Sequence, residues 1–129
     1  METFFASVGG QPFFDGLVER FYCEVEHDAM LRALYPADLT NSKHWMAAFL
    51  AQYFGGPGTY SELKGHPRLR MRHAHLKIGR AERDAWWNAM HTAVTACGIT
   101  DPHRGAMLEY FTTSADWMIN HDDQATTEA

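Results

Sequence analysis

This chain of 129 residues has few of the cysteines on which many small proteins depend. Only Cys23 and Cys97 are present, and no second cysteine lies close enough to either to form a Cys-x-x-Cys pair. This spacing excludes the usual cysteine-pair motifs for structural metals and redox exchange. For a protein of the cytosol, which we infer below, it also predicts no disulfide.

Long apolar runs and an excess of basic residues are also missing. No apolar run approaches the roughly 20 residues that cross a bilayer, and residues 1–6 lack the basic start of a secretory signal. Lysine and arginine number 11 against 16 acidic residues, for a net charge of −5. We therefore expect a cytoplasmic protein that binds neither membrane nor nucleic acid.

Apolar and aromatic residues, in contrast, are plentiful. Hydrophobic residues make up 46% of the chain, among them seven methionines and four tryptophans. A single domain covering residues 1–129 buries roughly two thirds of the surface of its unfolded chain. This composition favours a wide apolar cavity for a small soluble ligand.

Apolar residues recur at helical spacing and nowhere alternate as in a strand, which predicts an all-α fold. The stripes predict helices over about residues 12–26, 41–54 and 81–97, a short helical piece up to Leu34, and a last helix from Asp101-Pro102. The stretch from Gly55 to about Gly65 is predicted as a loop, and it lacks the features of a phosphate-binding loop. A polar tail follows from about residue 122.

Eight histidines invite a metal hypothesis, but their spacing disfavours zinc. His66 and His73 lie about 10 Å apart along a helix, and His73 and His75 point to different helix faces. The run from Gly65 to His73 instead places one imidazole among apolar side chains, as haem ligation requires. A hydrogen-bonded structural role for His73 stays open, as do core packing roles for Tyr22 and Trp86 and a corner role for Tyr35.

Several motifs, in order along the chain, resemble group II truncated haemoglobins from Phe5 to about residue 120. They are Val8-Gly9-Gly10, Phe21-Tyr22, Leu34-Tyr35-Pro36-Ala37-Asp38-Leu39, the run from Phe49 to Pro57, Tyr60-Ser61-Glu62, the run from Gly65 to His73, and Glu82-Arg83-Asp84-Ala85-Trp86. The resemblance implies a shortened globin fold, two helices over two, with b-type haem between them. Without a Cys-x-x-Cys-His motif, thioether bonds do not hold this haem.

The resemblance also implies roles for individual residues. His73 is expected to be the proximal iron ligand, and Tyr22, Tyr35 and Trp86 the distal trio that stabilises bound ligand. Further expected haem or ligand contacts are Ser42, Met46, Phe49, Leu50, Leu69, Arg72, Leu76, Ile78 and Met90. For Arg72 this means pairing with a haem propionate, with a solvated surface position as the alternative. For Met46 it means packing, since a thioether is a weak iron ligand.

The chain departs from the family pattern in a few places. His75 and Leu76 stand where proline and phenylalanine usually follow the ligand histidine. Met46 replaces a leucine, and Trp45 and Trp87 add bulk beside the pocket. These changes affect ligand access and the geometry of the iron-histidine bond, and they remove none of the key groups.

The predicted function is tight binding of dioxygen and other diatomic ligands at five-coordinate iron. It is coupled to redox chemistry on O2, NO or peroxide, and CO is a further expected ligand. Redox turnover needs an unidentified reductase, because the chain has no flavin or nicotinamide motif. The alternatives are non-catalytic oxygen or gas binding, as in storage, scavenging or sensing, and a haem-free helical module. A monomer or a homodimer is expected.

Overall fold

A computed structural model describes residues 2–65, 73 and 76–120 of the chain. These residues form helices and loops without strands. The helices are α1 (Phe4–Ser7), α2 (Gln11–Glu26), α3 (Ala29–Arg32), α4 (Thr40–Tyr53), α5 (Thr59–Lys64), α6 (Arg80–Ala96) and α7 (His103–Met118). None of the described helices is long and apolar enough to cross a membrane.

The core lies between the four long helices. Helix α2 packs against α4 and α6, and α6 packs against α7. The predicted stripe of α2 is confirmed, because all of its members are buried: Phe14, Leu17, Val18, Phe21, Tyr22 and Val25. Met90 and Val94 of α6, with Met107 and Phe111 of α7, complete the centre of the core.

Local hydrogen bonds set where the helices begin and end. The Asp28 carboxylate accepts from the Leu31 amide at 3.1 Å and caps α3. At α6, the Gly79 amide donates to the Glu82 carboxylate at 2.8 Å, so the acidic side chain satisfies a backbone donor at the helix start. Asp101 accepts from the Gly105 amide at 3.0 Å, and α7 begins at His103, just after the expected start at Asp101-Pro102, with Pro102 as its N-cap residue.

Two short helices differ from the sequence prediction. The stretch from Gly55 to Gly65 was wrongly expected to be a loop throughout, because Thr59–Lys64 forms α5. Gln52 of α4 holds this helix by donating to the Ser61 hydroxyl at 2.7 Å and accepting from its amide at 2.9 Å. Helix α1 was not predicted, and its Phe5 amide donates to the Phe54 carbonyl at 2.8 Å.

Candidate functional site

A largely apolar cavity of about 350 Å³ lies among α2, α4, α6, α7 and the segment that carries His73. Its volume falls within the roughly 300–1,000 Å³ typical of small-molecule sites. Most residues expected to bind the cofactor or its ligand line it: Tyr22, Tyr35, Ser42, Met46, Phe49, Leu50, His73, Leu76, Ile78 and Trp86. The fold therefore brings residues that are up to 64 positions apart, from Tyr22 to Trp86, to one site.

Three polar-tipped aromatic residues from separate elements meet in this cavity. Tyr22 lies on α2, Tyr35 follows α3 at the corner before Pro36, and Trp86 lies on α6. The rings of Tyr22 and Tyr35 approach edge to face at 5.3 Å, while Trp86 packs on Phe21 at 5.6 Å and on Phe111 at 5.9 Å. These contacts fix the rings and leave the hydroxyl and indole groups to form hydrogen bonds.

The polar tips of these residues interact with one another, and the pKa values of the two phenols reflect this. Burial raises the pKa of Tyr35 to about 12, against the lowering effect of its hydrogen bonds with Trp86 and Tyr22. Burial, followed by the effect of Tyr35, raises the pKa of Tyr22 far above its usual value, and a hydrogen bond with Ser42 opposes the rise. Both phenols therefore keep their protons at neutral pH and can act as O–H donors.

The corner that carries Tyr35 is held from the backbone side by Arg32. Its guanidinium donates to the carbonyls of Tyr35 at 3.4 Å, Pro36 at 2.9 Å and Ala37 at 2.7 Å. One planar group with several N–H donors thus fixes three successive residues. Arg32 precedes Pro36 by a single helical turn, and only that proximity could have indicated this role from the sequence.

Asn120, which follows the end of α7, holds the backbone at His73, Leu76 and Ile78. The Asn120 side chain accepts from the Ile78 amide at 2.9 Å and donates to the carbonyls of Leu76 at 2.8 Å and His73 at 3.3 Å. Its own amide donates to the Ile78 carbonyl at 2.9 Å. A residue 47 positions away in sequence therefore anchors the backbone of His73.

Charged side chains also reach the cavity wall. Arg83 lines it with a side chain that is only 15% exposed, and its Nε donates to Asp116 at 2.8 Å. A second contact, from Nη1 to Asp84, measures 3.1 Å. Because the guanidinium charge is paired with carboxylates, it can lie at an otherwise apolar wall.

Some expected site residues lie elsewhere. Met90 does not line the cavity, contrary to the expectation that it contacts the haem; it is fully buried in the core, where its apolar side chain fills space between helices. Trp87 also lies off the cavity, and its indole donates to Thr112 at 2.8 Å. Leu69, Arg72 and His75 lie outside the described residues.

The cavity also includes side chains that the sequence reasoning missed. The missed residues are Leu34, Tyr60, Glu82, Arg83, Tyr110, Phe111, Ser114, Ala115 and Met118, and Trp45, expected only beside the pocket, is part of the wall. Phe111 and Ala115 are apolar and lie four residues apart on α7, a helical spacing that could have shown that this helix faces the cavity. Tyr60 and Tyr110 carry no comparable signal, since a single tyrosine fits core, surface or site equally well.

The lining matches the chemistry of a haem pocket. A neutral imidazole is a common axial ligand of haem iron, and His73 is the histidine among the described lining residues. Aromatic and aliphatic side chains supply the apolar walls that a porphyrin requires. N–H and O–H donors in the same cavity provide hydrogen bonds for a small ligand on the metal.

Comparison with known proteins agrees with this assignment. A model of the bacterial-like globin family matches residues 3–120. The group 2 truncated hemoglobin YjbI of Bacillus subtilis is 33% identical over 114 residues, spanning 88% of this chain and 86% of that protein. The chain belongs to the bacterial-like globin family, as a group 2 truncated haemoglobin. Membership of this family assigns haem to the chain as its cofactor and a diatomic gas as its ligand.

Solved structures of truncated haemoglobins and their relatives share this fold. The hemoglobin of Chloroflexus aurantiacus is 48% identical with a TM-score of 0.92, and the match covers 94% of this chain and all of that one. The group II truncated hemoglobin of Bacillus anthracis is 33% identical with a TM-score of 0.91, covering 95% of each chain. The expected two-over-two globin fold of this truncated haemoglobin is confirmed.

Proposed function

We propose that this truncated haemoglobin holds b-type haem through His73 as proximal ligand of five-coordinate iron. It binds dioxygen tightly and carries out redox chemistry on O2, NO or peroxide. One observation supports the proposal above all: a single apolar cavity is lined by the His73 imidazole and by the three polar-tipped aromatic residues Tyr22, Tyr35 and Trp86. Arg72 is proposed to pair with a propionate, and Leu69 to contact the haem.

The residues of the chain bind, orient and shield the ligand. Haem, when bound, supplies iron that donates electron density to dioxygen. The Trp86 indole can only donate a hydrogen bond, and the raised pKa values keep Tyr22 and Tyr35 protonated as donors. Because Phe49 and Leu50 help to exclude water, these bonds act in a medium of low dielectric constant.

The magnitude of this stabilisation indicates slow release. Each neutral hydrogen bond contributes about 1 kcal/mol net, so two or three bonds slow dioxygen dissociation by roughly 30- to 150-fold. Slow release disfavours bulk oxygen transport, which needs ready unloading, and favours chemistry on the bound ligand. Electrons must come from an external reductase, since no dinucleotide-binding motif is present in the chain.

A pair of tryptophan variants tests the role of the cluster. Trp86→Phe removes the indole donor from the cavity, whereas Trp87→Phe removes an indole that donates to Thr112 outside it. By stopped-flow spectroscopy, we expect Trp86→Phe to release dioxygen about fivefold faster than wild type. The Trp87→Phe rate should stay near that of wild type. Equal rates for all three proteins would contradict the proposed distal role.

A turnover experiment separates catalysis from simple binding. Oxygen-loaded protein is mixed with nitric oxide in the presence of cell extract and NADH, and nitrate is measured against the amount of haem. Many nitrate molecules per haem are expected of a catalyst with a cellular reductase. One nitrate per haem, with no re-reduction, would instead favour gas scavenging or sensing, for which the same donor cluster is suited.

A further inference from the structure

We propose that Tyr53 is a surface site at which small phenolic reductants are oxidised. In this role the haem-loaded protein reduces hydrogen peroxide, and the ring of Tyr110 carries the electron from Tyr53 to the cavity. The inference depends on the proposed haem function and adds to it a second site with its own substrate class. It is drawn from the contact between a tyrosine that lines the cavity and a tyrosine that is exposed to solvent.

Tyr53 differs from the other tyrosines of the chain. It lies at the end of α4 with 54% of its surface exposed, whereas Tyr22 and Tyr60 are buried and Tyr35 and Tyr110 are partly buried. Of the five tyrosines, Tyr53 is therefore the one that a dissolved phenol can readily reach. Its ring also reaches inward through direct contact with a neighbour.

That neighbour is Tyr110 on α7. The two rings stack with centroids 4.0 Å apart and planes inclined by 27°. Tyr110 lines the cavity, so an uninterrupted aromatic contact leads from the cavity to the surface. Electron transfer through a protein slows steeply with each gap between groups, and two rings in van der Waals contact leave no gap at this step.

The two phenols are suited to different parts of the transfer. Burial raises the pKa of Tyr110, and interaction with Ser114, which also lines the cavity, opposes part of this rise. Tyr110 therefore keeps its proton and serves as a bridge. The Tyr53 ring is open to solvent, so its proton can pass directly to water when it loses an electron.

The reaction balances with peroxide as oxidant and phenol as reductant. Hydrogen peroxide takes up two electrons and two protons, its O–O bond breaks, and two waters form. Tyr53 supplies an electron inward and a proton to water, becoming a phenoxyl radical. A small phenol then returns a hydrogen atom to Tyr53 and leaves as its own radical, so two phenols are consumed for each peroxide.

Competing rings are less suitable for this route. Trp45 also lines the cavity, but the Lys64 ammonium lies 4.8 Å over its ring, and a nearby cation makes loss of an electron harder. Trp117 is 64% exposed but does not line the cavity. The Tyr53–Tyr110 pair combines exposure with access to the cavity.

Radical trapping on haem-loaded ferric protein tests the proposal. Wild type is treated with hydrogen peroxide and a nitroso spin trap, and the labelled residue is located by mass spectrometry. We expect the main label on Tyr53, with dityrosine fluorescence and a covalent dimer when no trap is added. Tyr53→Phe, which keeps the ring packing, should lose this label and oxidise the phenolic probe guaiacol at least several-fold more slowly.

Variants of Tyr110 and Trp117 test the route itself. Tyr110→Phe keeps the stacked ring and should retain label on Tyr53, whereas Tyr110→Leu should reduce it at least several-fold. Trp117→Phe replaces another exposed, oxidisable side chain with one that is hard to oxidise, and it should leave the label unchanged. Far-ultraviolet circular dichroism and the haem spectrum show whether each variant retains its fold and its haem.

The outcomes separate this inference from the proposed haem function. Protein that binds haem and consumes peroxide but is labelled mainly away from Tyr53 would overturn the surface site alone. Unchanged labelling of Tyr53 in folded Tyr110→Leu would overturn the route. Protein that takes up no haem would overturn the haem function and the surface site with it.

Discussion

The Asn120 side chain offers a sharp test of how the fold positions His73. In Asn120→Ala, the Ile78 amide loses its acceptor and the carbonyls of Leu76 and His73 lose a donor. The bond from the Asn120 amide to the Ile78 carbonyl at 2.9 Å involves only backbone and remains possible. The substitution therefore weakens the attachment of His73, Leu76 and Ile78, while the backbone hydrogen bond between Asn120 and Ile78 remains.

The expected size of this effect follows from the lost bonds. Each contributes about 1 kcal/mol net, but the carbonyls at this partly exposed site can bind water instead, so we expect a total loss of about 1–2 kcal/mol. For a domain of this size, such a loss lowers Tm by about 4–8 °C. Haem should also dissociate several-fold faster, because the histidine backbone is less well fixed.

Thermal unfolding and transfer of haem to an excess of a scavenging apoprotein measure the two effects. Asn120→Asp keeps the acceptor for Ile78 and loses the donors, so it should fall between Ala and wild type. Asn88→Ala, at an exposed position on α6, is the matched control and should leave both quantities near wild type. If Asn120→Ala has the same haem dissociation rate and the same Tm as wild type, the anchoring role is refuted.

Two further predictions concern packing and pH. A Cβ atom at Gly56 would lie 2.5 Å from the Phe5 ring and 2.8 Å from the Ala51 carbonyl, so Gly56→Ala should lower the free energy of unfolding by about 1–3 kcal/mol in a urea titration. The raised pKa of Tyr35, about 12 against an ordinary 10.0, means that the folded state binds more protons than the unfolded state between these values. Stability is therefore fully present below pH 10 and falls above it by about 1.4 kcal/mol per pH unit for this group. In Tyr35→Phe the stability should fall less steeply above pH 10, by that amount. Identical pH profiles of stability for Tyr35→Phe and wild type would contradict the burial of a neutral phenol.

Apolar spacing predicted the long helices because each buries one continuous stripe. The offsets from Phe14 to Val25 identify the buried face of α2 without further information. Helices α1 and α5 have too few residues to form such a stripe. They depend on contacts from other parts of the chain, such as the bonds between Gln52 and Ser61.

The site was less accessible to local reasoning than the fold. Periodicity alone left Tyr22 and Trp86 as core residues, and only the family resemblance assigned them to a ligand site. Tyr110 was missed because its helix carries residues toward both core and cavity. Met90 was expected at the haem, and it lies in the buried core away from the cavity lining, because spacing identifies a buried face but does not tell packing from cavity lining.

The most direct test of the central claim is the visible spectrum of protein supplied with haemin. Spectra are recorded for wild type, His73→Ala and the control His91→Ala, whose imidazole stacks on Trp87 away from the cavity. Ferric, reduced, and reduced plus carbon monoxide states are compared for each. We predict a strong band at about 400 nm that shifts with carbon monoxide in wild type and in His91→Ala. In His73→Ala this band should be disrupted. An unchanged spectrum in His73→Ala, or no haem uptake by wild type, would contradict haem ligation through His73.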